Sequence, residues 1–199
     1  MGIPQRMLRN LLYQRGWFGR VPLLSRWWVE LRFRWHASRK GVWVAAFVAG
    51  VAVGAFGVLI QSIVAHGTRV RELTCLARNV YYEARGESAA GRYAVAEVTM
   101  NRVRSRHYPD TVCEVVYQKN WDYLRKRYVS AFSWTEFDST PHPEEELWRQ
   151  AWEAAEAVYD GRRPRMLRGA LHYHATYIKP SWSRGKRPLA RIGRHVFYR

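Results

Sequence analysis

The sequence predicts an α+β fold, mainly helical with a small antiparallel sheet, preceded by one transmembrane helix. Three observations carry this prediction. Residues 42–65 hold no charged side chain over a length that can cross a bilayer. Three later stretches, within 68–84, 89–104 and 144–158, repeat apolar residues at helical spacing. Leu171, Tyr173 and Ala175 alternate with His172, His174 and Thr176, which is the period of a strand.

Residues 1–41 form a basic segment in which Trp17, Trp27, Trp28, Phe33 and Trp35 stand among arginines. Arginine with tryptophan beside an apolar run suits the headgroup zone of a membrane. The run VWVAAFVAGVAVGAFGVLIQSIVA at 42–65 follows. A secretory signal has an apolar core of only roughly 7–15 residues close to the N-terminus. This run is longer and starts later, so it reads as a retained single-pass anchor. The basic side precedes it, which places 1–41 in the cytoplasm and the rest outside the cytoplasmic membrane. The partner so implied is that membrane, crossed by one helix. Gly50 and Gly54 make a small-xxx-small pair, which is either a homodimer face or part of an ordinary span.

Residues 67–199 form the soluble part, long enough for one compact core. Leu73, Leu76, Ala77, Val80, Tyr81 and Ala84 define a helix from Thr68 to Ala84, with Gly86 permitting a stop. Ser88 is the candidate N-cap of a second helix over 89–104. Tyr108–Pro109–Asp110 breaks it, and a short apolar stretch runs from Val112 to Tyr117. Residues 119–142 show no periodicity and many aromatics, and read as an ordered loop. Glu144, Glu145 and Glu146 suit a helix start, and Gly161 ends that helix. The segment Ile192 to Tyr198 pairs with the strand before it.

The chain of 199 residues has 33 Lys and Arg against 16 acids, a net charge of +17. That balance calls for an anionic partner. Nucleic acid is set aside, because the anchor explains the basic arm and acids are interspersed through 67–199. His172 and His174 share one strand face, but no third ligand accompanies them, so no metal and no cofactor is expected.

The stretch Tyr81–Tyr82–Glu83–Ala84–Arg85–Gly86–Glu87 carries the chemistry. Glu83 falls in the last turn of a helix, among aromatic rings. Desolvation there disfavours its charged form and makes it a candidate general acid. The alternative is a surface glutamate paired with Arg85 or Arg78.

From Cys75 onward the sequence resembles the SleB/CwlJ-type cell wall hydrolases. The matching pieces are Leu76 to Glu87, Gly91 with Ala94–Val95–Ala96, Asn101–Arg102–Val103, Tyr108–Pro109, Val112 to Gln118, and Phe132–Ser133. Gly169 to Tyr173 and Gly193 to Tyr198 complete the set. The resemblance implies a lysozyme-like domain acting on the glycan strands of peptidoglycan, with Glu83 as catalytic residue. Glu87 is then structural or orienting, through Arg85 or Arg102, and Asn101 anchors backbone. Phe132, Ser133, Tyr173 and Trp182 are the candidates to line the glycan groove. Relatives often have glutamine where this chain has Ala131, and some have cysteines where it has Ser130 and Glu136. That leaves Cys75 and Cys113 as the pair that could bridge in an oxidising periplasm, the alternative being two separate thiols.

No second catalytic acid stands out; Glu136 and Asp138 are the candidates. One glutamate suffices if the substrate supplies the nucleophile, so lytic transglycosylation is expected. The alternatives are a muramidase-type hydrolase, an N-acetylmuramoyl amidase, and a non-catalytic anchored peptidoglycan-binding protein.

Overall fold

The computed structural model describes residues 28, 31–32, 34, 39–123, 125–137 and 142–199. Most of the basic arm, including Trp17, Trp27, Phe33 and Trp35, lies outside these residues, as does Asp138. The chain divides into two compact units, Met1–Ser62 and Ile63–Arg199. One helix, α1 (Arg39–Ala84), contributes to both.

In the first unit every residue from 42 to 62 is exposed, large apolar side chains such as Trp43, Phe47 and Val53 included. The helix is long and apolar enough to cross a membrane. Its backbone groups bond within the segment, as hydrocarbon requires. Where a Cβ would stand at Gly50 and Gly54 there is open space. The expected separate helix from Thr68 is instead the later part of α1. Gly67, which lies between, costs a helix only about 1 kcal/mol relative to alanine.

In the second unit, the end of α1 packs into a core with α2 (Ala89–Val103), α3 (Val112–Val116) and α4 (Glu145–Tyr159). The apolar stripe of α1 is buried throughout, from Leu73 to Ala84. Ser88 caps α2 by accepting from the Gly91 N–H at 3.4 Å. The buried Glu72 carboxylate accepts from the Val112 and Cys113 N–H groups at 2.5 and 3.1 Å. An anion at a helix N-terminus satisfies donors that have no partner within the helix. Cys113 is joined to Cys75 by a disulfide, with Cα atoms 5.2 Å apart. Buried Asn79 donates to the Thr99 hydroxyl and accepts from the Trp134 indole, both at 3.1 Å.

The other side of α2 meets a three-stranded antiparallel sheet of order β3–β5–β4. Its strands are β3 (His172–Ala175), β4 (Ala190–Ile192) and β5 (His195–Tyr198). Ala94 and Val98 of α2 pack there on Leu167, Ala170 and Phe197. Tyr173 packs against both this cluster and the helical core. The final segment therefore pairs with β3, as register His172↔Tyr198 shows, but also forms a tight hairpin with β4. Gly193 opens that hairpin turn at φ +56°, a conformation costly for any side chain.

Residues 119–142 differ from expectation. They contain an antiparallel hairpin, β1 (Lys119–Asp122) with β2 (Arg127–Ser130), followed by a 3₁₀ turn, Ser133–Glu136. Asp122 accepts from the Arg125 N–H in the turn at 3.0 Å. Both faces of the hairpin are largely exposed. Apolar and polar residues then have no reason to alternate, and the period-two signal is missing.

Candidate active site

Glu83 stands on the last turn of α1, just before the Arg85–Gly86 turn. Its Oε2 accepts a hydrogen bond from the Tyr173 hydroxyl at 3.1 Å. Burial pushes the Glu83 carboxyl above the ordinary carboxylate range, opposed by the Tyr173 hydroxyl and by the positive charge of Arg102. Burial and the neighbouring Glu83 drive the Tyr173 phenol far above its usual range. Tyr173 is thus a fixed donor, and Glu83 is a carboxylic acid that holds its proton to higher pH. Such an acid can deliver a proton to a leaving oxygen and then survive as a carboxylate, because a hydrogen bond and a cation face it.

Arg102 is the residue beside Glu83 that sequence reading did not place there. It is buried, donates from Nε to the Leu171 carbonyl at 2.8 Å, and lies over the rings of Phe132 and Tyr108. Its contacts join residues far apart in sequence, and only the mixed cation and aromatic content of those stretches hinted at them. Phe132 is buried beneath Arg102, whereas the adjoining Ser133 is exposed. Tyr82 stacks on Trp134, with centroids 4.7 Å apart. Trp182 lies against His172, His174 and Tyr198, on the strand face opposite to that of Tyr173.

Glu87 is paired neither with Arg85 nor with Arg102. Its partner is Arg194, which donates from Nε at 2.6 Å and from its backbone N–H at 3.1 Å. Burial alone would raise the Glu87 carboxyl, but the Arg194 hydrogen bonds outweigh it and hold the group below the ordinary range. A Cβ on Gly193 would overlap the Glu87 carboxylate, so the turn must be glycine on this count too. This clamp ties the β4–β5 turn to the segment following Glu83. Arg85 lies over the Tyr81 ring at 5.7 Å, and Asn101 donates to the Leu167 and Ala170 carbonyls at 2.8 and 3.1 Å.

Glu136 accepts from the Ser130 N–H at 3.1 Å and pairs with Arg127. The positions where some relatives carry cysteines are thus joined here by a hydrogen bond. His174 faces the Tyr198 hydroxyl and the Ala175 carbonyl. Burial, then Arg102 and Lys186, push the His172 imidazole below its usual range. Among the described residues no three His, Cys, Asp or Glu side chains converge as a metal site. A cavity of about 370 Å³, lined by Thr74, Arg78, Pro143, Glu145 and Trp148, shares no residue with the Glu83 cluster.

A small, mostly helical domain with one desolvated glutamate at a helix end describes a class of site suited to acid-assisted bond cleavage. Comparison places the chain more closely. The Cell Wall Hydrolase family model matches residues 86–198, and the chain belongs to that family. Glu83 lies just ahead of the matched span. The spore cortex-lytic enzyme of Bacillus subtilis strain 168 is 32% identical over 131 residues, covering 63% of this chain and 37% of that protein. The spore cortex-lytic enzyme of Oceanobacillus iheyensis is 42% identical over 55 residues, 28% of this chain and 20% of that protein. The chain thus spans well under half the length of these curated relatives. Among solved structures, the catalytic domain of the Bacillus cereus SleB protein is 26% identical with a TM-score of 0.46, over 64% of this chain and 89% of that one. The catalytic domain of the germination-specific lytic transglycosylase SleB from Bacillus anthracis is also 26% identical, with a TM-score of 0.47, over 64% and 93% of the two chains.

Proposed function

We propose that this chain is a membrane-anchored enzyme that cleaves the glycan strands of peptidoglycan as a lytic transglycosylase, with Glu83 as sole general acid and base. Membership of the cell wall hydrolase family supports the substrate class. The desolvated carboxyl of Glu83, held by Tyr173, is the observation that carries the mechanism. Glu83 donates its proton to the glycosidic oxygen as the C1–O bond breaks. The C6 hydroxyl oxygen of the same muramic residue then bonds to C1, and its proton passes to the Glu83 carboxylate. No water is consumed, and the acid is regenerated.

A two-carboxylate hydrolysis needs a second acid about 5–5.5 Å away for retention or roughly 6.5–9.5 Å for inversion. The nearest acid in sequence, Glu87, is occupied by Arg194, and Glu136 by Ser130 and Arg127. The basic arm and the uncharged run 42–65 support an orientation with residues 67–199 outside the cytoplasm. The test is digestion of purified peptidoglycan by the full chain, with mass spectrometry of the fragments. Products one water lighter than hydrolytic fragments, with no new reducing end, are expected. Ordinary reducing ends would make the enzyme a muramidase, and free stem peptides an amidase.

Tyr173→Phe removes a hydrogen bond that favours the carboxylate form of Glu83. The Glu83 carboxyl should move further upward, so the alkaline limb of the pH–rate profile, where the acid is lost, should shift to higher pH. The maximal rate should fall about tenfold, within the range for a lost charge-assisted hydrogen bond. An unmoved alkaline limb would show that Tyr173 does not set the acid.

A further inference from the structure

The β1–β2 hairpin is a two-stranded ribbon, and such ribbons are marginally stable on their own. Yet it keeps large aromatic residues in solvent. Trp121 and Tyr128 are directly paired across the strands, with ring centroids 5.2 Å apart, and are 45% and 63% exposed. Alternation puts Lys119 and Ser130 on the same face, at the end nearest the domain. Exposed aromatic patches of this kind mark interaction surfaces.

The base of the hairpin is fastened beside Glu83. The Ala131 N–H donates to the Gln118 carbonyl at 2.8 Å, closing the ribbon. The next residues are Phe132, under Arg102, and Trp134, which stacks on Tyr82 and donates to Asn79. The two described acids of the region are engaged, Asp122 by Arg125 and Glu136 by Arg127. Lys119 and Lys126 have no acidic partner within salt-bridge distance among the described residues, so the ribbon carries spare positive charge.

We propose that the Trp121–Tyr128 face, edged by Lys119, docks the peptidoglycan glycan strand away from the bond that Glu83 cuts. Aromatic rings accept the C–H faces of sugar rings, and the lysine attracts the carboxylates of stem peptides. A glycan strand offers both features along its length. Attachment of the ribbon next to the acid favours a polymer that runs from one to the other over a lipid headgroup layer. This assignment rests on the glycan-cleaving reading given above.

The test uses the full chain in detergent micelles with purified peptidoglycan sacculi. Trp121→Ala with Tyr128→Ala should raise KM about tenfold and leave kcat within about twofold, the signature of lost uniform binding. Trp121→Phe with Tyr128→Phe should restore most of the affinity. Lys119→Glu keeps both rings in place and covers the case in which the double alanine variant loosens the ribbon. It should raise KM about threefold, with the effect fading at high salt. The same substitutions in a Glu83→Gln background should reduce sacculus binding by similar factors, a readout that survives even if the glycan-cleaving reading fails. Unchanged KM and unchanged sacculus binding in both the aromatic and the lysine variants would overturn the proposal, including the case in which the ribbon touches lipid instead.

Discussion

Glu83→Gln should abolish nearly all glycan cleavage while leaving the domain folded. The substitution keeps the shape of the side chain and an oxygen for the Tyr173 hydroxyl, but removes the transferable proton. A loss of about 10²–10⁴-fold is expected for removing a general acid or base. Stability should move the other way. The folded-state value of Glu83 is raised, so the folded chain holds this proton more tightly than the unfolded chain. The stabilisation this gives is present at low pH and is lost as pH rises through the folded value. Glutamine cannot ionise, so the variant should be at least as stable as the wild type at neutral pH, with no advantage below the ordinary carboxylate range. Thermal unfolding across pH, beside cleavage of sacculi, reads both effects. Wild-type cleavage by the folded variant would remove Glu83 from the mechanism.

Replacing Cys75 and Cys113 by serine should give the largest change in stability. The bridge joins residues 38 apart and closes a loop that contains Glu83 and all of α2. For a loop of that length, chain entropy corresponds to about 4 kcal/mol, within the usual range of 2–5 kcal/mol for small exported domains. The melting temperature should drop by roughly 10 °C or more. The same bond reports compartment. Chain isolated under non-reducing conditions should titrate no free thiol. Two free thiols would place the domain in a reducing space and contradict the proposed orientation.

The later part of α1 was legible because it buries one stripe, whereas α2 is buried on all sides from Ala94 to Arg102. Leu73, Leu76, Ala77, Val80, Tyr81 and Ala84 announce the inner face of α1, and all are buried. The β1–β2 ribbon was not legible, because neither of its faces is core. Glu83 could be singled out from its aromatic setting and from family resemblance. Its surroundings could not, since Tyr173 lies 90 residues away and only strand register brings its hydroxyl to the carboxyl. Arg194 was hidden for the same reason, 107 residues from Glu87. Local sequence offered Arg85 as the nearer cation, but its side chain turns to the Tyr81 ring instead.

The strand order β3–β5–β4 sets a timetable for the emerging chain. The strand made last is the one in the middle, and the other two have no ladder partner in this sheet until it arrives. Tyr173 then lacks the backing of Phe197, and Glu87 lacks the clamp from Arg194. Strand pairing, even in a hairpin, is slow compared with helix formation. A nascent domain could therefore hold its helices, its bridge and Glu83 before the surroundings of that glutamate are complete. On the reading proposed for the site, its chemistry would arrive only with β5.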